Sequence, residues 1–477
     1  MHLLQTDAAA AAQRAKDVPA DDTRTFRIAS PPHGKRAVIA LPLLIGASLA
    51  PAYAQQFNFS ATPGLTDTQS TLASAMDSAC NALAATPGAD PGQVDLFATC
   101  NTLGGADQAT LQDDLEILAP DEIATLGTAS VNVFNAQIAN VVQRLAGVRG
   151  GGGVGGTGLA SLGFDPGDWM LAATSTDGLA IGNGEDGADD TERLGVFVNG
   201  SGGSGDRDAT VNEPGFDFDT QAVTAGVDYR VLDNLVLGAA ASYTRIDSEL
   251  NASGGKVDVD GYSVSLFGTY FEGASFYVDG IASIGRNEFD TSRTVVFGDA
   301  NQQALSDPSS DEYAVGIGSG YDFNFDQWSM GPFGQFNYVR AEIDAFEEQA
   351  STPGALGAGS LLAVDDQTVK SLTTALGGQT SYAISSAVGV FVPQLRVAWV
   401  HEYEDDNQTI SGEFINDPTD TVFAVPTDDP DRDYFTAALG VSGQFTNNLA
   451  AFVQYERLVG HSYLDENVVN GGVRLSF

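Results

Sequence analysis

Basic residues are scarce in this chain: 21 Lys and Arg stand against 63 Asp and Glu, a formal charge of -42. That balance argues against a nucleic-acid partner, because phosphate binding depends on Lys and Arg. Cysteine is scarcer, with only Cys80 and Cys100, too few for a disulfide-built scaffold. After residue 54 no run of about 18 apolar residues occurs, so no membrane-spanning helix is expected there. Only His401 and His461 remain in that part of the chain. It also lacks a Gly-x-Ser-x-Gly elbow, an EF-hand spacing and a repeated calcium nonapeptide. The expectation is a non-enzyme with no catalytic residue, metal or cofactor.

The longest apolar run comes before that point. Lys35 and Arg36 precede Ala37 to Pro51, which is followed by Ala52-Tyr53-Ala54. A charged start, a short apolar stretch and a small-x-small end describe a secretory signal peptide, with Ala52 and Ala54 marking the cut. Pro42, Pro51 and many small residues weaken the alternative, a membrane anchor. Residues 1–54 are therefore set apart as an extended leader and signal peptide. The leader holds six of the basic residues and four of the acids, leaving 15 against 59. Many of these acids fall between candidate strands, so solvated loops explain them. In an exported chain Cys80 and Cys100 are expected to pair, with two inert thiols as the alternative.

Four zones follow. Residues 55–120 are rich in Ala, Thr, Leu and Asp and broken by Pro-Gly pairs, which fits a small helical segment. Pro120-Asp121-Glu122 then places proline and two acids at a helix start. Phe134, Ile138, Val141, Val142, Leu145 and Val148 follow at spacings of three and four, one apolar stripe on an amphipathic helix over 121–149. Glycines from Gly150 onward end that helix, and 150–192 reads as a hinge and linker.

From 193 to 477 the pattern changes to period two. Leu235, Leu237, Ala239, Ala241 and Tyr243 alternate with small or polar neighbours, as do Tyr262, Val264, Leu266, Gly268 and Tyr270. Counting such runs predicts about twelve strands, near 194–204, 215–229, 235–248, 256–271, 275–297, 310–323, 329–346, 367–385, 389–412, 434–446, 449–460 and 467–477. The links between them alternate, short at 231–234, 272–274, 324–327, 385–387 and 446–448, long at 205–214, 249–255, 298–309, 347–366 and 413–433. Tight turns at one end and long loops at the other belong to a transmembrane barrel. Phe216, Phe218, Tyr229, Tyr270, Phe271, Tyr321, Trp328, Phe333 and Tyr382 lie near strand ends, where interfacial girdles are expected. Val469, Gly471, Val473, Leu475 and Phe477 share one face of the last strand, and Asn470 and Arg474 share the other. The expected fold is an all-β transmembrane barrel of about 12 antiparallel strands, preceded by a small α-helical segment and an amphipathic pore helix.

That order resembles the classical autotransporters, the single-chain type V secretion systems of Gram-negative outer membranes. Leu194 to Gly200 is similar to the first strand of the family's β-domain, and Arg144-Leu145-Ala146-Gly147-Val148-Arg149 before the glycines is similar to one subgroup. The resemblance implies a pore helix carrying Phe134, Ile138, Val141, Arg144 and Leu145, and an assembly signal in Val473, Leu475 and Phe477. It also implies outer-membrane lipid, a barrel-assembly machinery and periplasmic chaperones as partners of a monomeric barrel. The chain departs from the family in two places. Residues 55–120 are too short for a long β-helical passenger and read as a vestigial one. Asn132, Asn135 and Asn140 are isolated, so self-cleavage at an Asn-Asn pair in the helix is not expected.

Weaker signals remain. His461-Ser462 invites a hydrolase reading, but neighbours on a strand point to opposite faces. The acid clusters 185–190 and 428–431 have oxygen ligands for calcium without a binding spacing. Arg230, Arg245, Arg286, Arg340, Arg396 and Arg474 would seal the pore if they face the lumen. The leading reading is a barrel that translocates or displays its own short N-terminal segment. The alternative is a plugged channel or surface-binding barrel without export.

Overall fold

The computed structural model describes residues 56–86, 88, 90–149, 193–251, 254–273, 275–445 and 449–476. Four helices come first: α1 Asp67–Ala85, α2 Pro91–Gly105, α3 Gln108–Ile117 and α4 Asp121–Arg149. Local chemistry sets their starts. Thr66 and Gln69 form a reciprocal capping box on α1. Asp90 caps α2 ahead of Pro91, and Asp107 caps α3 by accepting from the Thr110 amide. A disulfide joins Cys80 in α1 to Cys100 in α2.

Twelve long strands follow: β1 Leu194–Arg207, β2 Phe216–Leu232, β3 Leu235–Leu250, β4 Lys256–Glu272, β5 Phe276–Phe297, β6 Ser309–Tyr321, β7 Trp328–Ile343, β8 Gln367–Tyr382, β9 Gly389–Glu402, β10 Asp433–Phe445, β11 Leu449–Val459 and β12 Leu464–Ser476. Each pairs antiparallel with the next, and β12 pairs with β1, so the sheet closes on itself. Closure satisfies every strand edge within lipid. The register starting at Val198 meets Ala225, Ala241, Val264, Ile284, Tyr313, Arg340 and Lys370 in turn. Continued through the remaining strands, it returns to β1 14 residues along. With strands about 4.8 Å apart and about 3.3 Å per residue, that stagger gives a tilt of about 39° and a backbone radius of about 12 Å.

The outer surface carries the expected band. On β4, Tyr262, Val264, Leu266 and Tyr270 all point outward and are exposed, Leu266 at 66%. Tyr262 to Tyr270 spans about 21 Å of height at that tilt, close to the apolar belt of an outer-membrane barrel. Tyr229, Tyr270, Tyr321 and Trp328 are exposed at the short-turn end. Phe216, Phe218 and Phe333, expected in the girdle, are instead buried and inward. Their strand register sends them there. Phe216 and Phe218 pack on the N-terminal helices, and Phe333 lies under Arg396.

The long-loop end differs from expectation in two further ways. The run near 389–412 is not one strand: β9 stops at Glu402, and Thr409–Phe414 joins a separate sheet. The links near 347–366 and 413–433 are not plain loops either. With Phe346–Glu347, Leu362–Val364 and Phe423–Pro426 they supply the rest of that four-stranded sheet. The link near 298–309 holds strand Ala300–Ser306, which folds back and pairs antiparallel with the end of β5, Thr291 to Phe297. The N-terminal helices pack on this assembly. Leu72, Met76 and Leu83 of α1 share one continuous core with Leu362, Phe414 and Phe423 of the small sheet and Phe216 and Phe297 of the barrel. Each fully buried side chain of this size contributes about 1.5–3 kcal/mol.

Candidate functional site: the plugged lumen

Helix α4 occupies the lumen. Its start lies in the core shared with α1–α3, through Ile123 and Leu126. Deeper in, Phe134, Ile138, Val141 and Leu145 are buried against Phe197, Phe267 and Ile281 of the wall. The stripe predicted from spacing is therefore the stripe that packs. Val142 is partly buried at its edge.

Near the short-turn end the helix is fastened by polar groups. Arg144 is fully buried, pairs with Asp228 of β2 and lies 5.0 Å from the ring of Phe197. One turn earlier, the Asn140 amide donates to Thr224 Oγ1 at 3.3 Å, and Asn199 donates to the Asn140 carbonyl at 2.9 Å. A Cβ on Gly195 of β1 would lie 2.7 Å from Asp228 Oδ1 and 3.0 Å from Arg144. A larger residue there would have to displace the ends of these side chains, which glycine leaves in place. The interior partners Asp228, Asn199 and Gly195 carry no separate sequence signal beyond their inward register.

Neither candidate histidine is hydrogen-bonded to a serine hydroxyl among the described residues. His401 Nδ1 faces Asp433 at 2.8 Å, between the rings of Trp399 and Tyr403. His461 Nδ1 accepts from the amides of Tyr463 and Leu464 and sits 3.3 Å from Asp431. The Ser462 hydroxyl donates to Asp431, not to His461. Around them lies a rim cluster. Arg207 pairs with Glu213 at 3.0 Å and with Asp428 at 2.7 Å. Burial pushes the His461 imidazole below its ordinary value, with Asp431 opposing and Arg207 adding to the shift. Burial pushes the Glu213 carboxyl upward, and Arg207 works against it.

The other candidates divide. Arg474 is buried and inward, Arg396 faces the lumen with its guanidinium 3.7 Å from the Phe333 ring centre, and Arg230 donates to the Asp233 carbonyl at the short-turn end. Arg245, Arg286 and Arg340 do not seal the pore. Arg245 and Arg286 are exposed and Arg340 is half-buried, and they pair with Asp247, Asp311 and Glu342. Val473 is 53% exposed on the lipid face of β12. Ala52, Ala54, Phe477, the side chain of Leu475, the hinge and linker, and the acid cluster 185–190 lie outside the described residues.

The model of the autotransporter beta-domain matches residues 196–456. An uncharacterised protein of the trpE-trpG intergenic region of Pseudomonas putida is 27% identical over 192 residues, 40% of this chain and 31% of that protein. The esterase EstA of Pseudomonas aeruginosa is 27% identical over 219 residues, 45% of this chain and 32% of that protein. The autotransporter adhesin/invasin TibA of Escherichia coli is 26% identical over 251 residues, 51% of this chain and 22% of that protein. The chain thus spans about a third or less of these relatives' length. Among solved structures, the translocator domain of the autotransporter NalP from Neisseria meningitidis aligns with a TM-score of 0.48 at 17% identity, covering 60% of this chain and 90% of that one.

Proposed function

This chain belongs to the autotransporter β-domain family, and from that premise we propose that its cargo is its own N-terminal helical segment, which stays on the barrel as a cap. The chain is an outer-membrane barrel of the type that translocates protein. What supports the finer reading is the shared core: α1–α3 bury their apolar faces against the long loops and the start of α4. Polar contacts key the same surfaces together. Asp95 of α2 accepts from the amides of Gly357 and Gly359, at 2.9 and 2.6 Å. Arg293 of β5 binds Glu348 and the carbonyls of Ile117 and Ser360. A passenger made for release would not share its core with the loops of its own transporter.

The role is physical rather than catalytic in this reading, and the barrel acts as a monomer. The esterase among the relatives is about three times this chain's aligned length, so its activity is not carried over. Protease shaving of intact cells tests the proposal, with epitope tags after Gln56 and in the loop between Phe414 and Phe423. Loss of both tags is expected. Loss of the loop tag alone overturns export and leaves a plugged channel. Ser462→Ala is expected to leave surface exposure unchanged, and purified protein is expected to show no turnover of a short-chain ester.

A further inference from the structure

The lumen is wider than its plug. A backbone diameter of about 24 Å exceeds the 10–12 Å of a helix with its side chains. Helix α4 leans on β1 to β7, and the opposite half of the barrel keeps a cavity of about 480 Å³. Asn135 shows the consequence: it lies midway along a helix inside a barrel, yet it is exposed. The far wall is formed by inward residues of β8 to β12, among them Gln394, Gln454, Glu456 and Glu466.

The cavity has a mouth and a floor. Asp406, Asp429 and Pro430 border it and are exposed at the long-loop end. No described residue of α1–α3 borders it, so the cap leaves this half of the lumen uncovered. Lower down lie Gln379 and Arg396. Below them buried Ala383, Val390 and Val392, with Ala450 and Phe452, fill the same side. The space is a cup open at one end, within the size range of small-molecule sites.

Its chemistry selects a guest. Polar amides dominate the middle, among them Asn135, Gln335, Gln394 and Gln454. Carboxylates still outnumber basic groups along the lining once Arg207 is set against Glu213 and Asp428: Glu402, Asp406, Asp429, Asp431, Glu456 and Glu466 remain against Lys370, Arg396 and His461. The acids do not converge: no described group of three could hold one metal ion. They are strung from the mouth to Glu466 and Glu456, over on the order of 10 Å of strand rise.

We propose that this cup binds a short, flexible organic cation carrying several ammonium groups. A chain of spaced charges matches a string of spaced carboxylates, and the amides bond the stretches between. The proposal holds whether or not the cap is exported, so its failure and that of the display reading are separable.

The test is calorimetric titration of spermidine into the full chain in detergent, at physiological ionic strength, with sorbitol as the neutral control. One saturable site per chain is expected. Glu456→Gln with Glu466→Gln is expected to weaken it at least tenfold, and Asn135→Trp, which fills the cup, to abolish it. Retained heat-modifiable gel mobility shows that each variant is folded. No saturation would overturn the proposal. So would several sites per chain unchanged in both variants, which is collection by exposed loop acids, or binding that survives Asn135→Trp.

Discussion

Asp228 is the residue on which the plug's anchorage turns. Asp228→Asn would leave the Arg144 guanidinium buried without its carboxylate, at a cost of about 3–5 kcal/mol. Planar-bilayer recordings are expected to show frequent openings in that variant and a quiet wild type. Arg474 is buried beside the same carboxylate, so Arg144→Met and Asp228→Leu are combined with Arg474→Met. That variant is expected to restore most of the quiet, because a filled apolar contact carries no unpaired charge. Openings that persist in the triple variant would mean that the pair itself does not hold the helix. The rim supplies a pH prediction of two signs. The lowered His461 makes a contribution that is complete above its free value near 6.5 and is lost as pH falls through that range. The raised Glu213 contributes fully below its free value and loses stability as pH rises. Glu213→Gln should therefore leave loops that resist protease better at pH 7.5 than at pH 4.5, and His461→Gln should reverse the trend. Two variants with the same slope would refute the assignment. Part of this scale was legible beforehand. Phe134, Ile138, Val141 and Leu145 are set by helical spacing, which depends only on neighbours in sequence. The outward Arg245, Arg286 and Arg340 were not, because a polar residue above the lipid belt suits either face of a strand.

Among the elements, the strands of the belt are the easiest to read and the small outer sheet the hardest. β4 and β6 alternate because lipid and lumen demand opposite chemistry on every second residue. Leu362–Val364 and Phe423–Pro426 are three and four residues long, too short for a period to show, and they lie among acids and prolines. Their partners are set by long-range packing that no local pattern announces. The paired helices α1 and α2 carry the element-scale prediction. Their disulfide closes a loop between residues 20 apart, which in the chain-entropy account is worth about 3 kcal/mol. Cys80→Ser with Cys100→Ser should make α1–α3 sensitive to protease at temperatures where the barrel keeps its folded gel mobility. Equal loss of cap and barrel would show that the two melt as one unit.

At the scale of the whole molecule, cap, outer sheet and barrel top form one hydrophobic body. Deleting residues 56–118 would bare Ile123, Leu126, Phe216, Phe218 and Phe297. That variant is expected to bind an apolar dye and to lose protease resistance between Phe346 and Pro426, while its barrel stays embedded. Loops that remain resistant would make the cap an ornament of the fold rather than part of its core.

Helix α4 runs from the cap at one end of the barrel to Arg149 near the other, where β1 also begins. Two packed helices are already about 20 Å across, and inward side chains narrow a bore of about 24 Å, so the folded cap is too wide to pass. The chain is threaded through its own ring with a stopper outside, like a toggle drawn through an eyelet. A pull on the segment after Arg149 would load the cap first, and the helix could leave only after α1–α3 had come apart. The plug is thus retained by shape as well as by its ion pair, and the strength of that retention is the mechanical strength of a disulfide-stapled helical bundle.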